Sequence, residues 1–229
     1  MASGARAVLF DFAGTLFDDT SVLTGARLAG RCAARGVRLA VRDAEILCAK
    51  IQAYVDSAGG RAARDGADRS SETHRAVWTA LAESIPGVTP SIAAGFYDCV
   101  TDIRAWRPYP DAADTLVSLN RMGVPVAVVS NTGWDLSGSF AEAGLARLVD
   151  AFVLSCDIGL EKPDPLIFTL ACHRLGVEPA NAVMVGDDPV KDGGAAAAGI
   201  PVYLLPAPRA QDRIRGLSAV LSLVDRWAT

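Results

Sequence analysis

The chain has 229 residues, of which 51% are hydrophobic and 21% charged, and its formal net charge is -4 at pH 7. This composition provides enough apolar side chains for a buried core and excludes a chain that is disordered throughout. The acidic balance and the scattered arginines create no net positive field. We therefore expect neither nucleic acid nor an anionic membrane as a partner.

The cysteines and the N-terminal segment predict a cytoplasmic protein. Five cysteines, an odd number, are widely spaced and form no Cys-x-x-Cys pair, which is typical of reduced thiols. The first residues lack the basic and apolar regions of a signal peptide, and no stretch approaches the roughly 18 apolar residues that a membrane helix needs. The expected location is the cytoplasm, without a membrane partner.

The first predicted strand spans residues 7–12 and carries the first chemical signal. Its apolar residues lead into Asp11, and after Phe12 the chain continues with Ala13, Gly14 and Thr15. Ligand sites in open α/β sheets lie beyond the carboxyl ends of the strands. Asp11 is therefore a candidate nucleophile.

A helical insert follows this strand before the next strand begins. Helices are predicted over 22–35, 43–57, 71–84 and 90–104, the last with Thr89 as N-cap and Pro90 in first position. The Gly-, Arg- and Ser-rich stretch 57–70 is predicted to be an exposed loop. We expect residues 1–18 and 107–229 to form the core and residues 19–106 to form a separate helical domain.

The second half of the chain alternates strands with helices. The predicted strands are 124–130, 151–155, 182–187 and 200–205, and the predicted helices are 111–122, 134–143, 165–175 and 192–198, each followed by glycine within two residues. This alternation predicts an α/β fold with a doubly wound parallel sheet covered by helices on both faces.

Polar residues occur just beyond the ends of four predicted strands, and we expect them to meet at one edge of the sheet. Each signal alone is ordinary turn chemistry. Together and in this order they resemble the motifs of the haloacid dehalogenase superfamily, over residues 8–205. The residues concerned are Asp11, the run Ser130-Asn131-Thr132, Lys162, and the run Gly186-Asp187-Asp188 with Asp192.

The resemblance implies a Rossmann-like core with an inserted helical cap, and a Mg²⁺-dependent hydrolase that acts on a small phosphorylated substrate. Asp11 would form an aspartyl-phosphate, aided by Lys162 and Ser130. Mg²⁺ would bridge the two anions. The other implied roles are metal binding by Asp11, Asp187 and the Ala13 carbonyl, substrate binding by Asn131, Thr132, Gly14 and Thr15, and orientation of waters or of Lys162 by Asp188 or Asp192.

Ala13 departs from the family's pattern, which has an acid/base aspartate two residues after the nucleophile. A methyl group transfers no proton, and such transfer contributes roughly 10² to 10⁴ in rate. Four alternatives remain open: phosphate-ester hydrolysis with another proton donor, carbon–phosphorus cleavage resembling phosphonoacetaldehyde hydrolases with Lys50 as the amine, dehalogenation, and a catalytically silent binding domain.

The two histidines and the aromatic residues of the insert lie away from these motifs. We expect no catalytic role for His74 or His173. Trp78, Phe96, Tyr97 and Trp106 are expected to form the core of the insert, because they occupy helical positions.

Overall fold

The computed structural model describes residues 7–206 and 214–226. Its strands are β1 (Ala7–Phe10), β2 (Phe17–Asp18), β3 (Arg107–Pro108), β4 (Val126–Ser130), β5 (Ala151–Leu154), β6 (Ala182–Gly186) and β7 (Val202–Leu204). Its α-helices are α1 (Gly25–Ala34), α2 (Val41–Val55), α3 (Ala58–Ala63), α4 (Ser71–Glu83), α5 (Pro90–Val100), α6 (Pro110–Arg121), α7 (Ser137–Glu142), α8 (Ser155–Ile158), α9 (Pro165–Leu175) and α10 (Ala219–Arg226). Among these described helices, none is both long and apolar enough to cross a membrane.

The central sheet is parallel and has the order β5-β4-β1-β6-β7. Its middle strand, β1, pairs with β4 on one side and with β6 on the other, so that Phe10 lies beside Val128 and Val185. Every residue of β1 is fully buried. Helices therefore cover both faces of the sheet, as expected for parallel strands with continuous apolar sequences, and the predicted doubly wound α/β core is confirmed.

Successive residues of β1 pack into two different hydrophobic clusters. Val8 and Phe10 contact the cluster that includes Leu116 and Leu119 of α6. Leu9 points to the opposite face and joins the cluster of Ile167 and other residues of α9. This alternation follows from the two-residue period of a strand. It fixes the position of β1, and with it the position of the aspartate that follows.

A short antiparallel pair, β2 with β3, lies where the chain leaves the sheet and where it returns. Phe17 pairs with Pro108 and Asp18 with Arg107, an element that the sequence analysis did not predict. Between these strands, helices α1, α2, α4 and α5 share their own hydrophobic cluster, which includes Leu28, Ile51 and Phe96. The pair lies at both boundaries of the proposed helical domain, whose limits stay a prediction.

The prediction of an exposed loop over 57–70 is wrong, because this stretch contains α3 and a 3-10 turn at Ala67–Arg69. Ser57 caps α3 by accepting a hydrogen bond from the Gly60 N–H at 3.0 Å. A Cβ at Gly60 would lie 2.0 Å from the Tyr54 carbonyl oxygen. The glycine that suggested a loop is the residue that lets α3 pack closely against the end of α2.

Two other predicted helices differ from those observed. Residues 192–198 form a 3-10 helix. The helix predicted over 134–143 begins only at Ser137, because Thr132 Oγ1 accepts the Trp134 N–H at 3.3 Å and Asp135 Oδ1 accepts the Ser137 N–H at 2.8 Å. Local side-chain acceptors of this kind compete with helical hydrogen bonds.

A C-terminal segment is attached to the sheet through Asp111, at the start of α6. Its carboxylate accepts the backbone N–H groups of Arg215, Gly216 and Leu217 at 3.1, 2.8 and 2.9 Å. The buried Arg215 guanidinium in turn donates to the Gly14 carbonyl oxygen at 2.7 Å. Asp111 therefore helps to fix the loop that follows the first strand.

We predict that Asp111→Ala lowers the free energy of unfolding by about 1–3 kcal/mol, because three backbone donors lose their acceptor. Urea denaturation measures this loss. Asp114→Ala is the matched control, since Asp114 is exposed on the same helix, and it should change the free energy by less than about 0.5 kcal/mol. Equal losses in the two variants would contradict the assigned role of Asp111.

Candidate active site

Three neighbouring strands bring polar residues to one edge of the sheet. Asp11 follows β1, Ser130 ends β4 and Asp187 follows β6, and these strands are adjacent in the order β4-β1-β6. Lys162 reaches the same place from the loop before α9. All four residues line a single cavity of about 470 Å³.

The Lys162 ammonium lies between two carboxylates at the base of this cavity. Its Nζ donates to Asp11 Oδ1 at 2.6 Å and to Asp192 Oδ1 at 2.7 Å. Lys162 is 4% exposed and Asp192 is fully buried. Burial by itself would lower the pKa of Lys162, but the carboxylates of Asp11 and Asp192 raise it above its ordinary value. The lysine is therefore a fixed positive charge and does not release its proton.

Asp11 is a buried carboxylate in close contact with that charge. Burial raises the pKa of Asp11, and the Lys162 ammonium opposes this shift. A contact of 2.6 Å to an ammonium is the geometry of a charge-assisted hydrogen bond. The contact orients the carboxylate while engaging only one of its two oxygens.

Asp192 contacts Lys162 through one carboxylate oxygen and the backbone through the other. Its second oxygen, Oδ2, accepts the Asp188 N–H at 2.9 Å, and Asp188 Oδ1 accepts the N–H groups of Val190 and Lys191 at 2.8 and 3.0 Å. A Cβ at Gly186 would lie 2.1 Å from Asp192 Oδ2. The glycine of the Gly-Asp-Asp run therefore leaves room for the carboxylate that positions the lysine.

Asp11, Asp187 and Asp192 each offer one carboxylate oxygen within 4.8 Å of the others. Burial, with Asp11 and Asp192 nearby, raises the pKa of Asp187 to about 7. Thr15 Oγ1 donates to Asp187 Oδ1 at 3.3 Å. Gly14 has φ of +74°, and a Cβ there would lie 2.6 Å from Asp187 Oδ2. This glycine therefore makes room for Asp187 beside Asp11.

The donor set fits a hard divalent cation. Carboxylate and carbonyl oxygens are the ligands that Mg²⁺ prefers, and Asp11, Ala13 and Asp187 all line the cavity. Asp192 already contacts Lys162 and the Asp188 N–H, so it is the least suited of the three acids to bind metal directly. The ligand set predicted from the sequence is therefore compatible with the geometry and stays a prediction.

The residues predicted to bind substrate after β4 have different surroundings. Ser130 and Asn131 line the cavity. The Asn131 side chain binds the backbone of Lys162 in both directions, through Nδ2 to the carbonyl oxygen at 3.0 Å and through Oδ1 from the N–H at 2.8 Å. Thr132 is 2% exposed, and its N–H donates to Ser155 Oγ at 2.9 Å. Asn131 thus positions the lysine loop, and Thr132 is structural.

Three further substrate-binding predictions are not supported by position. In the described part of the chain, Gly14, Thr15 and Lys50 are absent from the residues that line the cavity. Both Gly14 and Thr15 are buried. Thr15 donates a hydrogen bond to Asp187, and Gly14 leaves room for the Asp187 carboxylate. Lys50 is exposed on α2, whereas Gln52, Val55 and Asp56 of the same segment line the cavity. The structure therefore does not bring Lys50 to the site as a Schiff-base amine.

The insert supplies a polar group that the sequence analysis missed. His74 is 1% exposed and lines the cavity together with Arg64, Asp68 and Trp78. Its Nδ1 lies 2.9 Å from the Tyr97 hydroxyl, and its Nε2 lies 3.6 Å from Asp68 Oδ1. Burial, reinforced by Arg64, lowers the pKa of His74 to about 4. The imidazole is therefore neutral at pH 7.

No sequence signal marks the cavity residues of the insert, which are Arg64, Asp68, His74 and Trp78, because none of them follows a strand. His74 lies in the cavity although it is near no sequence motif, and the expectation that it has no catalytic role stays a prediction. Trp78, Phe96 and Trp106 are cavity walls as well as parts of the hydrophobic clusters. His173, in contrast, is exposed on α9.

Comparisons with known proteins agree with this geometry. The chain is 35% identical to glyceraldehyde 3-phosphate phosphatase of Methanopyrus kandleri over 133 residues, which are 57% of this chain and 56% of that protein. It is 39% identical to (S)-2-haloacid dehalogenase 4A of Burkholderia cepacia over 88 residues, which are 38% of each chain. The match therefore spans about half or less of the length of these curated relatives.

A solved structure resembles the whole fold. The putative HAD-hydrolase YfnB of Bacillus subtilis matches 97% of this chain and 100% of its own with a TM-score of 0.72 at 14% identity, a likeness that shows the fold alone. The family model of haloacid dehalogenase-like hydrolases matches residues 5–199. Because that match takes in the strand ends at Asp11, Ser130 and Asp187 and the loop of Lys162, this protein belongs to the haloacid dehalogenase-like hydrolases.

Proposed function

We propose that the chain is a Mg²⁺-dependent hydrolase of small phosphorylated molecules that works through an aspartyl-phosphate on Asp11. The observation that carries this proposal is the third carboxylate at the sheet edge. Lys162 contacts Asp11 and Asp192, while Asp187 lies beside them and lines the cavity. A bound divalent cation would balance the remaining negative charge and attract a phosphoryl group.

The residues support nucleophilic attack by Asp11. Its Oδ1 is held by Lys162 at 2.6 Å, so Oδ2 is the candidate attacking atom. Lys162 would offset the negative charge of the transferred phosphoryl group. Ser130 and the backbone amide of Asn131 would donate to its oxygens. When bound by Asp11, Asp187 and the Ala13 carbonyl, Mg²⁺ supplies charge neutralisation between the two anions.

Dehalogenation is the second candidate, and Ala13 is the observation that favours it. A halide leaves without a proton, so a chain with alanine at this position loses nothing in that reaction. A haloacid dehalogenase is among the relatives. Asp187 argues for phosphate, because displacement at an uncharged carbon needs no cation, and a further carboxylate would only oppose the attacking anion.

We predict that Asp11→Asn lowers phosphate release from p-nitrophenyl phosphate by at least about 10³-fold, because the amide is not a competent nucleophile. Circular dichroism should show an unchanged fold. Asp135→Asn, at an exposed acid beyond β4, should retain the activity of the unaltered chain. Substantial activity in Asp11→Asn would exclude Asp11 as the nucleophile.

Removal of divalent ions with a chelator should abolish phosphate release, and added Mg²⁺ should restore it. Asp187→Asn should raise the Mg²⁺ concentration for half-maximal activity by at least about tenfold, because one charged oxygen ligand is lost. Asp135→Asn again provides the control titration. Chelator-resistant release of chloride from 2-chloropropionate, with no phosphate release from any ester tested, would favour dehalogenation.

A further inference from the structure

We propose that Asp68, which reaches the cavity from the helical insert, is the proton donor that replaces the acid missing at Ala13. The inference rests on the proposed phosphate-ester hydrolysis and deepens it. Ala13 lines the cavity close to the nucleophile but carries only a methyl group. A leaving alkoxide or phenoxide needs a proton when its conjugate acid is weak, so the donor must come from another element.

The acids of the sheet edge are already engaged. Asp11 is the proposed nucleophile, and Asp187 is a proposed cation ligand. Asp192 holds Lys162 at 2.7 Å, and Asp188 accepts two backbone hydrogen bonds of its own turn. The Lys162 ammonium is fixed between two carboxylates and is unsuited to proton transfer.

The remaining acids that line the cavity are Asp19, Asp56 and Asp68. Asp19 and Asp56 are exposed to solvent. The side chain of Asp68 is 17% exposed. It is the half-buried carboxyl of this group, in surroundings that disfavour its charged form.

Two hydrogen bonds from the core fix the backbone of Asp68. Its N–H donates to Glu161 Oε1 at 2.7 Å, and its carbonyl oxygen accepts from Ser155 Oγ at 2.7 Å. Glu161 directly precedes Lys162, and Ser155 also accepts the Thr132 N–H at 2.9 Å. Asp68 is thereby tied to the two loops that carry Lys162 and follow Ser130, which gives an acid from the insert a defined place in the cavity that Asp11 also lines.

Neutral His74 lies against the Asp68 carboxyl, with Nε2 3.6 Å from Oδ1, and is itself held by the Tyr97 hydroxyl. A Cβ at Gly133 would lie 2.1 Å from His74 Cγ, so the core loop packs directly on this histidine. Burial raises the pKa of Asp68; Lys191 opposes the shift, Glu161 adds to it, and Arg64 and Trp78 oppose it. His74 is a positioning residue in this arrangement.

The proton balance is complete without a further reactant. An Asp11 oxygen forms a bond to phosphorus as the bond from phosphorus to the leaving oxygen breaks, and the Asp68 carboxyl gives its proton to that oxygen. The Asp68 carboxylate then takes a proton from the water that attacks the aspartyl-phosphate. The bond from Asp11 to phosphorus breaks, inorganic phosphate leaves, and both aspartates return to their starting states.

The test is the leaving-group dependence of kcat/KM, which reports the step that transfers the phosphoryl group to Asp11. Asp68→Asn should lower kcat/KM for phenyl phosphate by about 10²-fold or more. The loss for p-nitrophenyl phosphate should be at least about tenfold smaller, because its leaving group departs without a proton. Asp65→Asn, at an exposed acid of the same insert that is not among the residues lining the cavity, is the matched control and should leave both values unchanged.

Equal losses on the two esters would overturn the inference, because a structural defect does not depend on the leaving group. Ala13→Asp placed in the Asp68→Asn background should recover phenyl phosphate hydrolysis if the missing function is proton donation. In the unaltered chain, log kcat/KM should vary only weakly with the leaving-group pKa of substituted phenyl phosphates. A steep dependence there would overturn the inference even if Asp68→Asn did not fold. Absence of phosphate release by the unaltered chain would instead refute the proposed function itself.

Discussion

The site depends on one buried ammonium, that of Lys162, held between Asp11 and Asp192. A buried charge is costly unless it is paired and hydrogen-bonded, and Asp11 and Asp192 pair with this one at 2.6 and 2.7 Å. Asn131 binds the lysine backbone through both the nitrogen and the oxygen of its side-chain amide, and Gly186 leaves space for Asp192. The central position of β1 then places Asp11 against the ammonium. The order of the strands, the geometry of the lysine loop and the two carboxylates together hold the Lys162 ammonium in its buried position.

Asp187 adds a second electrostatic demand to the same edge. The three carboxylates Asp11, Asp187 and Asp192 lie close together, and one lysine contacts only two of them. Gly14 admits Asp187 without a clash, so its close approach is built into the backbone. An excess of negative charge facing a cavity suits a divalent cation, which would in turn attract a phosphoryl group. Displacement of a halide does not require this arrangement.

The helical insert closes the cavity with side chains of different chemistry from those of the sheet. Trp78 and Phe96 provide apolar walls, whereas Asp68 and His74 provide a polar group. Hydrogen bonds between the Asp68 backbone and the side chains of Glu161 and Ser155 join the insert to the loops that carry Lys162 and follow Ser130. Ala13, where the family pattern has an acid, lines the same cavity as Asp68, an acid of the insert. Because function depends on sites and not on folds, we expect these insert residues to influence the choice of substrate.

Local patterns were enough to predict the parallel sheet and the meeting of polar strand ends at one edge, because strand periodicity and terminal polar residues involve only neighbouring residues. Together with the family resemblance, these patterns marked Asp11, Lys162 and Asp187 as candidate site residues. It also marked Ala13 as a departure. Tertiary packing alone accounts for the burial of Thr132 and for the absence of Lys50 from the cavity lining in the described part of the chain. It also brings Asp68, His74 and Arg215 to the site. These placements depend on how the insert and the C-terminal segment pack onto the sheet. Contacts between residues so far apart in the chain leave no periodic trace in it.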